Sequence, residues 1–261
     1  MFFLICPKIF ETFQEALDAL KASKNPKAQI VIKSALNDKH WGIREEAIQN
    51  LLIKDDPSVL DKVAALAQSD SRSTVRAAAL AKLAASKDSK WASTYRNVLE
   101  KEQAYPVISA AMQALYKVDP NGATEVAKKF ENDENDDLVN GVGSIYSENP
   151  KPEHVAFFEK GIMKVDGMAS LNFVGNYVKV LDKLGETNIM EKMTKLKDIG
   201  VNQAQSPWRR FACAKAINDM RKKYKTQANT NYSELTKMLS EIANKESNDQ
   251  LKAIFAQMLG V

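Results

Sequence analysis

Apolar residues recur along this chain in a fixed rhythm. In "DKHWGIREEAIQNL", residues 38 to 51, Ile43, Ala47, Ile48 and Leu51 stand at i, i+4, i+5 and i+8, a spacing that lines one face of an α-helix. Thirty-two residues on, "DSRSTVRAAALAKL" (70 to 83) fills the same slots with Val75, Ala79, Leu80 and Leu83. A second step of 32 reaches "EQAYPVISAAMQAL" (102 to 115), with Val107, Ala111, Met112 and Leu115. The spacing persists while the period drifts, first at Leu138, Val142, Gly143 and Tyr146, then at Phe173, Tyr177, Val178 and Leu181. It closes on Leu251, Phe255, Ala256 and Leu259.

Each such helix has a predecessor, marked at the same step by Val31 and Ala35, Val63 and Ala67, and Tyr95 and Leu99. The breaks repeat too. Asn25-Pro26, Asp56-Pro57, Asp88-Ser89 and Asp119-Pro120 each offer a capping side chain, three of them followed by the proline that suits a first helical position. The unit is therefore helix, short turn, helix. One pair cannot bury its apolar face alone, so the pairs must stack, and the pattern predicts an all-α, right-handed α-solenoid of about seven helix pairs. No run alternates with period two, and no sheet is predicted. Residues 25–261 read as one repeat domain, preceded by a segment at 1–24 that holds a first helix.

That segment opens "MFFLICPKIF". It lacks a basic leader, and its apolar run is shorter than a signal peptide needs. Two readings stand side by side: an apolar end packing on the first helices, or the cut edge of a larger protein whose missing part once covered it. No segment approaches the roughly 20 apolar residues of a membrane span.

Polar positions sharpen the picture. Asp38 and Arg44, and likewise Asp70 and Arg76, stand six apart and bracket the start of the second helix of a pair. Glu246 and Lys252 match loosely, and in the third repeat Ile108 replaces the arginine. This arrangement resembles the HEAT repeat. The resemblance implies that the arginine of one repeat hydrogen-bonds the acid of its neighbour, which would fix the register of the stack.

A longer resemblance sits on "SALNDKHWGIREEAIQNL" (34 to 51) together with "QSPWRRFACAKAIND" (205 to 219). The combination is similar to the C-terminal helical region of bacterial zinc aminopeptidases of the aminopeptidase N family. It implies a solenoid that shapes substrate access to a catalytic domain lying upstream and absent from this chain. Zinc would belong to that missing domain, and no cofactor or metal is expected here. In some relatives basic residues of this region hold a peptide carboxylate, which makes Arg209 and Arg210 candidate contacts. The bland alternative has Arg210 as the structural arginine and Arg209 snorkelling past Trp208.

Composition changes the picture little. With Lys+Arg 37 against Asp+Glu 33, the net charge of +4 demands no acidic partner. Lysines are spread among acids, and only Arg209, Arg210 and Arg221 approach one another in sequence, so a nucleic-acid-binding solenoid ranks last. The basic run "MRKKYKTQ" (220 to 227) suits the negative end of a helix dipole. His40 and His154 stand alone, with no H-E-x-x-H, and no G-x-S-x-G or G-x-x-x-x-G-K is present. Cys6 and Cys213 offer no framework of bridges, and each is expected to pack as a small apolar residue. "ENDENDD" (131 to 137) reads as a solvated turn, without the glycine-containing spacing of a calcium loop. The glycines of "GIMKVDGMASLNFVGNYVKVLDKLG" (161 to 185) read as sites of close helix packing.

The sequence therefore points away from catalysis by this chain. It leaves two partners in view: the upstream peptidase domain, or a protein or peptide ligand held by a free-standing HEAT scaffold. Compartment is not indicated.

Overall fold

The computed structural model of the chain describes residues 28–53, 56–185 and 187–260, together with Glu15. Cys6, the Asn25-Pro26 break and, apart from Glu15, the segment 1–24 lie outside the described residues. Among those described are fourteen α-helices and no strand, an all-α protein of the α-solenoid class. The chain divides into two compact units, Met1–Val126 and Ala127–Val261. The sequence had suggested one domain over 25–261. A repeat stack has contacts only between neighbouring pairs, so its contact density is free to dip wherever an element is short. The division here falls in an eight-residue helix.

In the first unit the helices are α1 (Ala28–Ala35), α2 (Trp41–Asn50), α3 (Val59–Ser69), α4 (Ser73–Ser86), α5 (Ala92–Lys101), α6 (Tyr105–Tyr116) and α7 (Pro120–Ala127). A 3-10 turn over Ser89–Trp91 leads into α5. Helices α1 and α2, α3 and α4, and α5 and α6 pack as pairs, and α2, α4 and α6 lie on one another in turn. The repeated slots are what they bury: Ala47, Ile48, Val75, Ala79, Leu80, Leu83, Val107, Ala111, Met112 and Leu115 are all closed to solvent. Alternating small and large residues let these helices approach and interlock. Each large side chain so buried contributes about 1.5–3 kcal/mol, set against the chain entropy lost on ordering.

At Asp119 and Asp88 the predicted side chains cap. At Asp56-Pro57 the helix starts only at Val59, its N-cap Ser58 makes no side-chain cap bond, and Asp56 closes the turn before it. Asp119 accepts from the Gly122 N–H, with Pro120 opening α7. Asp88 accepts from the Lys90 N–H, and Asp56 accepts from both the N–H and the hydroxyl of Ser58. Val31 is a correction. It is 42% exposed, and Ile32 beside it is buried instead. Ala28, Ile32 and Ala35 form the inward face of α1, a spacing of four and three that leaves Val31 off the stripe.

The second unit opens with a 3-10 turn at Lys128–Phe130. It continues with α8 (Asp136–Glu148), α9 (His154–Gly161), α10 (Ala169–Leu184), α11 (Ile189–Val201), α12 (Pro207–Thr226), α13 (Tyr232–Lys245) and α14 (Asp249–Leu259). Again the second helices stack, α8 on α10, α10 on α12, and α12 on α14. Asn135, Ser206 and Asn248 cap α8, α12 and α14 by accepting backbone N–H bonds. Gly185 and Gly260 end α10 and α14 in the left-handed conformation that glycine adopts without a steric penalty. In α14 only Phe255 is fully buried. Leu251, Ala256 and Leu259 are half-buried.

Two local expectations change. "ENDENDD" is more than a solvated turn: Glu131 accepts from the Tyr146 hydroxyl, Asn135 caps α8, and Asp136 accepts from the Asp166 N–H. The glycines of 161–185 have different roles. A Cβ on Gly161 would stand 2.4 Å from the Phe173 ring, whereas one on Gly175 would meet nothing within 4 Å. Gly167 turns the chain at a φ of +59°. Close packing holds at Gly161 alone of these three.

Candidate functional site: an arginine ladder and a histidine-lined cleft

The polar slots build a ladder of bidentate ion pairs. Arg44 donates through Nε and Nη2 to the two carboxylate oxygens of Asp70 at 2.7 and 2.8 Å. Arg76 does the same to Glu102 at 2.7 and 2.9 Å, and Arg210 to Glu246 at 2.9 and 2.7 Å. The remaining Nη1 of each arginine reaches back to its own turn, to the carbonyls of Asp38 and Lys39, of Asp70, and of Gln205 respectively. One guanidinium thus ties the turn that starts its own helix to the turn of the next repeat. The planar fork of arginine is suited to this double task.

The acids have an earlier duty that spacing alone does not reveal. Asp38, Asp70, Glu102, Asp133 and Glu246 each accept from the backbone N–H two residues on. This satisfies a donor at a helix entrance whether or not an arginine arrives. Burial raises the carboxyls of Asp70, Glu102 and Glu246. The paired arginine and the turn N–H groups lower them further, so all three lie below the ordinary range.

Between the rungs the arginine slot is apolar. Ile108, Val139 and Val174 occupy it, all buried. Lys252 is a correction: it is exposed and makes no ion pair among the described residues, while Glu246 takes its charge from Arg210. Replacing Arg76 with lysine is expected to cost about 1–2 kcal/mol, since a point charge cannot reproduce the fork. The shift of the urea midpoint at unchanged slope would measure it.

Arg209 and Arg210 are both buried and hydrogen-bonded within the chain. Arg210 is 4% exposed, and its fork is filled by Glu246. Arg209 is 8% exposed and donates to the Gln205 side chain and the Val165 carbonyl, with Asp166 at 3.5 Å. It does not snorkel past Trp208, which is itself exposed. Cys213, one turn on, is fully buried, and burial pushes its thiol up to about 12. Arg221, from the basic run, is also buried. It donates to Asn218 and to the Met258 carbonyl, and lies over the Tyr232 ring.

The two histidines part company. His40 stacks beside Trp41, and the Arg72 guanidinium lies 4.8 Å from the Trp41 ring centre. His154 opens α9, is 2% exposed, and lies flat on Tyr146 with ring centres 3.7 Å apart. It lines a cleft of about 560 Å³ with Lys128, Glu131, Glu153, Phe157, Lys160 and Lys164. Its Nδ1 accepts from the Lys151 N–H, and its Nε2 is buried without a partner. Burial is the main influence holding its pKa below the ordinary imidazole range. Among the described residues no three His, Cys, Asp or Glu side chains gather as a metal cage, and no helix is long and apolar enough to cross a membrane.

Residues 11–84 fit the family model described as HEAT repeats, the stretch that contains α1 to α3, most of α4, and the first ladder rung between Arg44 and Asp70. No curated protein matches the chain. The period, the stacked helix pairs and the ladder agree with this match, and the chain is an all-α helical-repeat protein whose residues 11–84 are similar to HEAT repeats.

Proposed function

We propose that the chain is a non-catalytic scaffold that holds a polypeptide partner on its stacked helices. The observation that carries this reading is the HEAT-repeat stack of the first unit, since such stacks present extended surfaces to which long segments bind. The ladder arginines serve the stack itself, which leaves recognition to other side chains. Trp41 and Tyr105 are partly exposed at the starts of α2 and α6, at equivalent places two repeats apart. A photoreactive phenylalanine analogue placed at either position should therefore crosslink the same protein in source cells. Capture of nucleic acid, or of unrelated proteins from the two positions, would count against the scaffold.

A narrower reading sets this scaffold beside the catalytic domain of an aminopeptidase N-like zinc peptidase. Its support is the sequence resemblance at 34–51 and 205–219, and the zinc would belong to that partner domain. The burial of Arg209 and Arg210 argues against a substrate contact through them. What remains is shielding of a catalytic mouth. Sedimentation of the chain mixed with a separately made catalytic domain of that type should give a complex, and two independent species would end this reading.

A further inference from the structure

The cleft in the second unit holds two features that the stack does not use. Because the Nδ1 of His154 accepts a backbone N–H, its ring proton sits on Nε2, a buried donor with no acceptor. A buried donor left unpaired costs free energy that a ligand oxygen would recover. The second feature is charge. Lys160 and Lys164 hydrogen-bond only neutral oxygens, the Asn132 side chain and the Asp133 carbonyl. Neither has a carboxylate partner among the described residues.

Glu131 and Glu153 also line the cleft, and their repulsion grows with the charge of the guest. They disfavour a dianion such as phosphate more than a monoanion. Phe157, Ala156 and Val139 supply an apolar wall against which a short aliphatic stem can lie. We propose that this cleft binds the carboxylate of an aspartate or glutamate side chain carried by an acidic segment of the partner protein. The ammonium groups of Lys160 and Lys164 meet its charge, and the His154 Nε2–H, which has no acceptor among the described residues, takes one of its oxygens. This names the partner's chemistry for the scaffold proposed above and rests on that reading.

The test uses the full chain and a pentapeptide blocked at both ends, Ac-Ala-Glu-Leu-Glu-Ala-NH2, so that no terminal carboxylate contributes. Its glutamine counterpart and free glutarate serve as comparisons. In ¹⁵N–¹H spectra the glutamate peptide should shift the His154 ring resonance and the amides of α9. The glutamine peptide should bind about tenfold more weakly, as should the glutamate peptide to a Lys160→Ala, Lys164→Ala double variant. Both lysines are exposed, so the double variant should keep its circular dichroism and melting temperature.

Equal binding of the two peptides, or shifts confined to other helices, overturns the proposal. Glutarate binding as tightly as the peptide also overturns it, by assigning the cleft to a free small carboxylate. A partner crosslinked from positions 41 and 105 and held equally by the double variant would sink the cleft and spare the scaffold. Peptide binding at the cleft with no crosslinked protein partner would sink the scaffold instead.

Discussion

Replacing Arg210 with alanine is expected to lower stability by about 3–5 kcal/mol, the largest effect of any change in the ladder. The Glu246 side chain is 0% exposed and that of Arg210 5%, so removing the cation strands a carboxylate away from water. A double variant, Arg210→Met with Glu246→Leu, should recover most of the loss, because it removes the stranded charge and fills its space. The urea midpoints of the three proteins would decide the matter. Retention of the wild-type midpoint by Arg210→Ala alone would show that water reaches Glu246.

The sign of the pH dependence follows from the direction of the shift. Glu246 lies below its ordinary value of 4.5 when folded. Its contribution is therefore complete above the unfolded value and is lost as pH falls through the lower folded one. Asp70 and Glu102 shift in the same direction, so acid should weaken these rungs too. In Arg210→Ala the guanidinium that outweighs burial is gone, so burial raises the Glu246 carboxyl and favours the protonated acid. The gap between this variant and the wild type should therefore narrow as pH falls from above the ordinary carboxylate value through the lowered wild-type one.

Phe173→Ala is expected to cost about 3–5 kcal/mol, by lost burial and by the cavity left behind. The ring sits 5.0 Å from Phe158 and 5.5 Å from Phe157, centre to centre, and it presses on Gly161. The reverse change, Gly161→Ala, overfills the same place and should cost about 1–3 kcal/mol. Because the two share one volume, they should not add. In a Phe173→Leu background the methyl group at position 161 should be tolerated better, and thermal melts of the four proteins of the cycle would measure the coupling. Additive losses would mean that α9 shifts bodily to make room.

Much of the fold is legible in the chain because the signals are local. The slots of α2, α4 and α6 follow from a helical turn of 3.6 residues. The caps at Asp88 and Asp119 follow from what an oxygen one or two bonds from the backbone can reach. Where a neighbour decides, the sequence is weaker. Val31 and Ile32 are adjacent and equally apolar, and only the position of the stripe tells which is buried. Leu251 and Leu259 fit the slots of a second helix, yet they are half-buried.

The candidate site divides in the same way. The acid and the arginine six residues apart could be read from spacing, since both groups serve one turn. Which acid an arginine grips could not, because Asp70 lies 26 residues from Arg44 and Glu246 lies 36 from Arg210. Arg209 and Arg210 look alike in sequence. Successive residues on a helix point about 100° apart, which sends one to Val165 and Gln205 and the other to the Glu246 rung. His154 gave no local sign of its cleft. Its flat contact with Tyr146 and its unpaired Nε2 depend on how α9 lies against α8. By itself the sequence determined the helices, their repeat and the chemistry of their turns, all set within a few bonds. Tertiary structure alone decided which charges pair, which glycine is crowded and where a cleft opens, because burial and long-range partners belong to the neighbours a residue acquires on folding.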